Sequence, residues 1–490
     1  MSLGNIPENI YVPLVYIDID NSGALTGTPA QTNKVLMIGQ QLASGSAEPL
    51  AVRRIGTSEA DMDAAYGKGA MLSRMLKRFR NINASTDIYA LGVADLAAGA
   101  TAKGTITPTI STTNAGVIAL LIDGESVQVA VNDDDTVAII CAAIASAINS
   151  NEDLPVTASA TETAVELTAK WKGVTANDID VRVNYYTGEV LPTGVMLAIT
   201  DMEGGAGTPD ISEIMAAIPA QWYNHIVNPY NDTQSLNGLR DELVERYGPL
   251  KMMEGICYTA MRGTWAETST WGESRNDYLI TCMGTNKSPS SPWEYAAAYG
   301  ARASQSLSID PARPLQTLVL TGILPPAKTV QWDWTERNLL LQSGVATYFV
   351  DASGQVCIER EVSTYKVNSY GDADTSYLDI TTPATLGYLR YSLSAMVTNS
   401  FPRHKLAGDD VLDYIEPGQA IVTPKLMRMA IIGLARDEWV PKGLMEDIEG
   451  FKESLNVYRD DANKNRLNCV WKPDLVNQLR AFAALTQFKL

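Results

Sequence analysis

The runs VLMIG (Val35–Gly39) and IYALGV (Ile88–Val93) decide the fold. Both are short, apolar and uncharged, which is typical of strands that are buried on both faces of a parallel sheet. Between them, Ala70–Arg80 places apolar side chains at helical spacing along one face. Strand and helix patterns alternate again from Val195 onward. This alternation predicts an α/β domain with a largely parallel sheet.

In two of the predicted helices, the sequence pattern predicts what the charged side chains contact. The helix Ala70–Arg80 has four basic residues mostly away from its apolar face, and a solvated face is favoured over a partner-binding face. These residues are Arg74, Lys77, Arg78 and Arg80. Further along, Ser291-Pro292-Trp293-Glu294 matches a capping box, in which the Glu294 side chain bonds back to the start of its own helix.

A different composition interrupts the α/β pattern. From Ala97 the chain is rich in Gly, Ala and Thr, and Asp123-Gly124 between two apolar runs predicts a tight hairpin. A helix with one apolar face and three further strand patterns follow before residue 190. The acidic run Asp133–Asp135 lacks the Gly and Glu of an EF-hand, so it is interpreted as a turn in which Asp135 caps that helix. The sequence therefore predicts a small β-rich domain inserted into the α/β domain.

The chain is accordingly expected to be a multidomain α/β protein with extended arms. Its predicted parts are an N-terminal arm and linker (1–33), the first part of the core (34–96), the inserted β-rich domain (97–190), the second part of the core (191–365), a C-terminal domain (366–472) and a C-terminal arm (473–490). The Gly- and Thr-rich stretch Asn21–Asn33 is a predicted hinge beside the N-terminal arm.

Composition argues against several classes of protein. Of the 490 residues, 46% are apolar and 19% are charged, which indicates a folded chain with a sizeable core. The formal net charge of −18 argues against nucleic-acid binding, which needs clustered Lys and Arg. Five widely spaced cysteines in apolar runs are expected to be reduced. No secretory signal or membrane-spanning run is visible, so we expect folding in a cytoplasm without membrane insertion.

Residues that could support catalysis are few. The chain has two histidines. His225 lies in an apolar strand-like run and is interpreted as a core histidine, and His404 has cationic neighbours that make it a poor general base. Gly204–Gly207 follows a strand and precedes a helix, but it lacks the Lys-Ser/Thr of a P-loop and the GxGxxG spacing. A turn is the favoured interpretation, and an α/β enzyme that binds a nucleotide or sugar near Gly204–Gly207 is the alternative. We expect no catalytic residues, no cofactor and no metal.

The two ends of the chain are unusually apolar. The N-terminal segment Asn9–Asp20 alternates apolar and polar residues like a half-buried strand, and Pro473–Leu490 stays largely apolar to its last residue. Lone strands satisfy their backbone groups by joining a sheet edge in another copy. We interpret Leu479–Leu490 as such a strand, and its first half could instead be an amphipathic helix. The predicted interface residues are Val15, Ile17 and Ile19 in the N-terminal arm and Phe482, Ala484, Leu485, Phe488 and Leu490 in the C-terminal arm.

Five segments together carry a resemblance to a known family. In order they are VPLVYIDID (Val12–Asp20), NDIDVRVN (Asn177–Asn184), GGAGTPD (Gly204–Asp210), FPRHKLAGDD (Phe401–Asp410) and PDLVNQLRAFAALTQFKL (Pro473–Leu490). They resemble the tail sheath proteins of contractile-tailed bacteriophages, in the branch similar to the Mu sheath. Leu14 stands where that pattern has Gly, a departure that bears on the local turn.

The resemblance implies a structural protein of the virion tail. Subunits of this family stack as hexameric rings around an inner tube, and their terminal arms add strands to a sheet in another subunit. The sheath is assembled extended in the host cytoplasm, then contracts to drive the tube through the cell envelope for genome ejection. The implied partners are other copies of the chain, the tail tube protein, and baseplate and tail terminator proteins. A carbohydrate- or receptor-binding virion protein that uses the inserted domain is a further alternative.

Overall fold

The computed structural model describes residues 28–29, 31–414, 416 and 418–489. The chain forms two compact units. The larger unit contains Thr32–Leu386 and the chain from Arg480 on, and the smaller unit contains Gly387–Leu479 with the described residues before Thr32.

The larger unit contains most of the regular structure. Its strands are β1 (Lys34–Gln40), β2 (Val52–Ile55), β3 (Asp87–Val93), β4 (Thr101–Ile110), β5 (Gly116–Ile122), β6 (Glu125–Val131), β7 (Val156–Ala160), β8 (Val165–Lys172), β9 (Val181–Val183), β10 (Val195–Glu203), β11 (His225–Val227), β12 (Ile256–Arg262), β13 (Ile280–Asn286), β14 (Thr347–Val350) and β15 (Val356–Arg360). Its helices are α1 (Glu59–Tyr66), α2 (Met71–Ile82), α3 (Val137–Ser150), α4 (Ile211–Ala217), α5 (Thr233–Tyr247), α6 (Trp265–Glu273), α7 (Pro292–Ile309) and α8 (Trp334–Gln342). The next helix, α9 (Thr381–Ser400), begins in this unit and ends in the smaller one.

A six-stranded sheet of order β13-β12-β11-β1-β3-β2 forms the centre of the larger unit. All its pairs are parallel except the edge pair, in which β2 runs antiparallel to β3. In β1, Val35 lies beside His225 on one side and beside Ile88 on the other. The predicted α/β class with a largely parallel sheet is therefore confirmed.

Both faces of this sheet are covered, which explains why VLMIG has no polar position. Val35 and Met37 point into one apolar cluster, where α2 and α7 pack. Leu36 and Ile38 point into a second cluster, formed mainly with the apolar residues of α4 and α5. Successive side chains of a strand point to opposite faces, so a strand covered twice must be apolar at every position.

The inserted region follows β3 and precedes β11, the two strands that flank β1. It forms one sheet of order β10-β4-β8-β7 and a second of order β6-β5-β9, with α3 packed on them. Where the chain enters and leaves, Ala100 and Ala206 form an antiparallel bridge, with N–H to O distances of 2.9 and 3.1 Å. The boundary predicted at residue 190 leaves out β10, which pairs with β4.

Two predictions of local structure in the inserted region have different outcomes. The hairpin at Asp123-Gly124 is confirmed: both residues have positive φ, 49° and 82°, as a tight turn between β5 and β6 requires. The helix cap predicted at Asp135 is wrong. The N-cap of α3 is Thr136, whose hydroxyl accepts the Ile139 N–H, while Asp135 accepts the Asn132 N–H at 2.7 Å.

The basic face of α2 is internal, so the prediction of a solvated face is wrong. The Arg74 guanidinium lies 2.7 Å from Glu294 Oε1 and 3.1 Å from Asp123 Oδ2, and it also donates to the Asp153 carbonyl at 2.8 Å. Arg78 binds the second oxygen of Glu294 at 2.7 Å. Burial alone would raise the pKa of Glu294, but the two arginines hold it below its ordinary value.

The other two basic residues of α2 are also engaged. Lys77 contacts Asp63 at 2.8 Å and Asp153 at 2.6 Å, and Arg80 donates to the backbone carbonyls of Ile55 and Gly56. The capping box predicted for α7 is also wrong. Ser291 occupies the N-cap without a side-chain capping bond, because the Glu294 side chain is held by the arginines of α2.

The smaller unit is built from short elements. They are β16 (Lys405–Leu406), β17 (Ile421–Val422), β18 (Met445–Glu446), β19 (Asn456–Arg459), β20 (Leu467–Val470), β21 (Asp474–Leu475), α10 (Pro424–Leu434) and α11 (Ile448–Ser454). The strands pair two by two: β16 with β17, β18 with β21, and β19 with β20. Trp439 is fully buried at the centre, where its ring packs on Phe451 and Trp471 and its Nε1–H donates to Ser392 Oγ at 2.8 Å.

Replacing Glu294 by Gln is expected to lower the free energy of unfolding by about 3–5 kcal/mol, because Arg74 and Arg78 lose their shared buried carboxylate. Denaturant unfolding of the purified subunit measures the change. Glu166→Gln, at an exposed position of β8, is the matched control and is expected to change stability by less than about 0.5 kcal/mol. Equal stabilities of the two variants would contradict a structural role for this ion network.

Candidate assembly site

The C-terminal segment leaves the smaller unit as a short strand. In β21, Leu475 pairs with Met445 of β18, and Asn477 donates to the Glu446 side chain at 3.3 Å. The smaller unit ends at Leu479, and the chain from Arg480 on belongs to the larger unit. The C-terminal arm therefore begins at a defined residue of the larger unit.

Arg480 inserts its guanidinium into a polar recess formed by Glu361, Asp379 and Gln316, which we call the arm socket. Nη1 donates to Glu361 Oε2 at 3.2 Å and to Gln316 Oε1 at 3.3 Å. Nη2 donates to Glu361 Oε1 and lies 3.1 Å from Asp379 Oδ1. This two-pronged grip of a carboxylate is the strongest form of side-chain hydrogen bonding.

The socket is electrostatically matched to a cation. Glu361 is fully buried, and Arg480 is only 15% exposed. Asp379 is also held by Arg360 through two bonds of 2.9 Å, so the socket has a fixed wall that does not depend on the arm. Because a buried carboxylate without a partner is costly, Arg480 supplies the charge that makes the burial of Glu361 tolerable.

Beyond Arg480 the chain is open to solvent. Residues 481–489 are all exposed and form no helix or strand. Three large apolar side chains stand out: Phe482 is 86% exposed, Leu485 84% and Phe488 80%. Soluble single-chain proteins rarely expose such closely spaced apolar groups unless they bind something.

The predicted arm residues are only partly within the described structure. Phe482, Ala484, Leu485 and Phe488 lie together on the exposed segment, while Val15, Ile17, Ile19 and Leu490 lie outside the described residues. The strand predicted for Leu479–Leu490 is not formed by its described part in the single chain, and neither is the alternative helix. Their role as interface residues stays a prediction.

The smaller unit offers a sheet edge of the kind that an arm needs. The pair β19–β20 is two-stranded, with Tyr458 46% exposed and Val470 49% exposed. A sheet of two strands is marginal on its own, and its outer backbone groups can accept a further strand.

The histidines do not form a catalytic site. His225 is buried in β11, where its Nδ1 lies 3.0 Å from the Tyr258 hydroxyl, so the interpretation of a core histidine is confirmed. Burial lowers its pKa to about 3, which removes it from acid–base chemistry near neutral pH. His404 packs its ring edge-on against Phe401 at 5.1 Å.

Gly204–Gly207 is a turn that closes the inserted region. The Gly205 N–H donates to Asn177 Oδ1 at 2.8 Å, and the Ala206 N–H donates to the Ala100 carbonyl at 3.1 Å. A Cβ on Gly205 would lie 2.5 Å from the Gly173 carbonyl oxygen, so no space remains there for a ligand. A phosphate-binding loop needs free N–H groups, and those of Gly205 and Ala206 are already bonded within the protein.

Other chemistry is equally unsupported in the part of the chain that the structure describes. No group of three or more His, Cys, Asp or Glu side chains within residues 28–29, 31–414, 416 and 418–489 is arranged to hold a metal ion. The five cysteines are free, as expected, and four of them are buried. None of the described helices is long and apolar enough to cross a bilayer.

Sequence reasoning missed Arg480 and its socket. It is the single charged residue between Asp474 and Lys489, which was a usable signal. A lone arginine in an apolar tail suggests a specific ion pair, although the position of its partner Glu361 is visible only in the folded chain.

Comparisons with known proteins agree with this picture of a structural protein. Residues 204–364 match the family model for the phage tail sheath protein central domain, and residues 372–489 match that for the phage tail sheath C-terminal domain. The chain is 44% identical to a Mu-like prophage FluMu tail sheath protein of Haemophilus influenzae, over 490 residues and 100% of both chains.

Among solved structures, the chain is similar to a sheath tail protein from Desulfitobacterium hafniense, with 12% identity and a TM-score of 0.48, covering 94% of this chain and 100% of that one. It is also similar to the helical sheath of the anti-feeding prophage in the contracted state, with 12% identity and a TM-score of 0.47, covering 98% of this chain and 99% of that one.

Stability is expected to depend on pH through His225. Burial lowers its pKa from 6.5 to about 3, so the unfolded chain takes up a proton below pH 6.5 that the folded chain excludes. The contribution is complete above pH 6.5 and is lost as the pH falls from 6.5 toward 3. Between pH 6.5 and 4.5 the loss is about 2–3 kcal/mol.

Urea unfolding of the wild type and of His225→Gln at pH 6.5 and 4.5 measures this contribution. The variant is expected to lose about 2–3 kcal/mol less stability over that interval, because its side chain cannot take up a proton in either state. Parallel pH dependences of the two proteins would show that His225 is not the group responsible.

Proposed function

Because the chain belongs to the phage tail sheath protein family, we propose that it polymerises as stacked hexameric rings around an inner tail tube and contracts to drive that tube through the host envelope for genome ejection. It is a structural phage protein and not an enzyme. Its proposed partners are other copies of the chain, the tail tube protein, and baseplate and tail terminator proteins, with assembly in the host cytoplasm before the tail is complete.

The observation that best supports this proposal is the exposed apolar arm. Full burial of Phe482 and Phe488, which share one face of an extended strand, would contribute roughly 3–6 kcal/mol, and each backbone hydrogen bond about 0.5–1.5 kcal/mol more. These gains oppose the entropic cost of association and the mutual repulsion of copies that each carry a net charge of −18. Many such contacts around a ring and along a tube make the polymer stable although each contact is modest.

The proposed acceptor is the edge of β19–β20 in a neighbouring copy. The C-terminal arm would add one strand there, and the N-terminal arm with Val15, Ile17 and Ile19 another, which would convert a two-stranded pair into a wider sheet. Backbone pairing of this kind tolerates rotation of the subunits around the arms, since the hydrogen bonds stay within the added strands. That tolerance is what contraction without loss of connectivity requires.

Deleting Ala481–Leu490 is expected to abolish rings and tubes and to leave folded, soluble subunits, because Arg480 and the core remain intact. Negative-stain electron microscopy and size-exclusion chromatography measure assembly, and circular dichroism checks the fold. Tubes that persist after the deletion would contradict the role of the C-terminal arm.

A pair of point variants separates arm pairing from a general charge effect. Phe488→Asp removes an apolar side chain from the face that Phe482 and Ala484 share in an extended strand, and it is expected to reduce polymer yield at least about tenfold. Gln487→Asp adds the same charge on the opposite face and is the matched control, with polymer yield near that of the wild type. Equal losses in both variants would argue against a one-faced strand.

A further inference from the structure

We propose that Arg480 sets the free length of the C-terminal arm. By docking in the arm socket it fixes the root of the arm on its own subunit, so that only residues 481–490 reach toward a neighbour. The identity of that neighbour as a second copy rests on the proposed function, whereas the docking itself is a property of the single chain.

The geometry of the socket is that of a specific receptor for a guanidinium group. Two carboxylates and one amide oxygen receive Arg480, with contacts of 3.1 to 3.3 Å in addition to the Nη2 bond to Glu361. The fork of an arginine matches a carboxylate in a way that a lysine ammonium does not. The socket therefore discriminates among side chains and is not a general acidic surface.

Part of the socket is held in place by residues outside the arm. Arg360 holds Asp379 by two bonds of 2.9 Å, and the Glu361 carbonyl accepts the Ile380 N–H at 3.2 Å. The Glu361 carboxylate, in contrast, is fully buried and is paired with Arg480. If the arm leaves, the Glu361 carboxylate loses its cation and its two bonds to the guanidinium, so the docked state is favoured.

Docking changes how far the arm can reach. The last strand before the arm, β21, ends at Leu475. If Arg480 were undocked, the extensible segment would begin before residue 480 and would reach farther, at about 3.3–3.6 Å for each added residue. With Arg480 docked, residues 481–490 reach about 33–36 Å. The shorter arm excludes acceptors that lie farther away, and it loses less conformational entropy when it pairs.

A second glutamate, inside β15 and close to the socket, has partners of its own. Glu359 lies two positions before Glu361, at 26% exposure, and binds Arg337 at 2.9 Å and the Thr347 hydroxyl at 2.8 Å. The two carboxylates have similar chemistry and separate partners. Glu359→Gln is therefore a matched control for Glu361→Gln.

Limited trypsin digestion of unassembled subunits tests the proposal. Trypsin must bind the Arg480 side chain to cleave after it, and a docked guanidinium is unavailable to the protease. Thr486→Lys is introduced into every protein, because it adds an exposed reference site to the arm and places a charge on the face of Phe482 and Phe488, which keeps the subunits unassembled. Intact-mass spectrometry then gives the rate of cleavage after position 480 relative to position 486.

Glu361→Gln is expected to raise this ratio about tenfold or more, since the charge-assisted bonds that hold Arg480 are lost. Asp379→Asn, which removes the second carboxylate, is expected to raise it about threefold. Glu359→Gln is expected to leave it unchanged. Circular dichroism melting confirms that each protein is folded. If one of the two socket variants does not fold, the other variant tests the proposal.

A ratio near one in the parent protein, or no increase in either socket variant, would overturn the proposal. These readouts come from single subunits, so they are independent of whether the arm joins copies. Failure of the arm deletion to abolish tubes would instead refute the proposed role of the C-terminal arm in joining copies and leave the docking of Arg480 standing.

Discussion

The guanidinium group of Arg74 holds together parts of the larger unit that are far apart in the chain. It lies inside the protein with Glu294 of α7 on one side and Asp123 of the β5–β6 hairpin on another. A charge buried this deeply must be paired, so α2, α7 and the hairpin cannot separate independently at low cost. Since α2 and α7 also cover one face of the central sheet, the same contact connects that face to the inserted region.

The class of the fold could be predicted because its signals are local. A strand that is apolar at every position, such as Val35–Gly39, is stable where helices cover both of its faces. Asp123-Gly124 favours a tight turn through its own backbone preferences. The pairing of β10 with β4 could not be predicted, because the sequence of an edge strand does not specify its partner. The basic face of α2 was misread for a related reason: its pattern is the same whether the charges meet water or a carboxylate 220 residues away.

The same division applies to the candidate site. The sequence alone shows that Phe482, Leu485 and Phe488 are apolar. Their exposure in the single chain is expected of an arm that has not yet paired with another copy. The docking of Arg480 depends on the burial of Glu361, which arises only when β15 is folded against the rest of the larger unit. The sequence gives no such burial directly, since a glutamate beside a strand is as often exposed as enclosed.

The bridge between Ala100 and Ala206 brings the two ends of the inserted region together. Its two ends are adjacent, so the entropy of closing it grows only with the logarithm of its length. A foreign domain that replaces it without displacing β3 or β11 must offer acceptors to Arg74, Lys77 and Arg262 and an apolar partner to Trp293. An engineer who wished to present an antigen or an enzyme on every copy of this protein would graft it at this point.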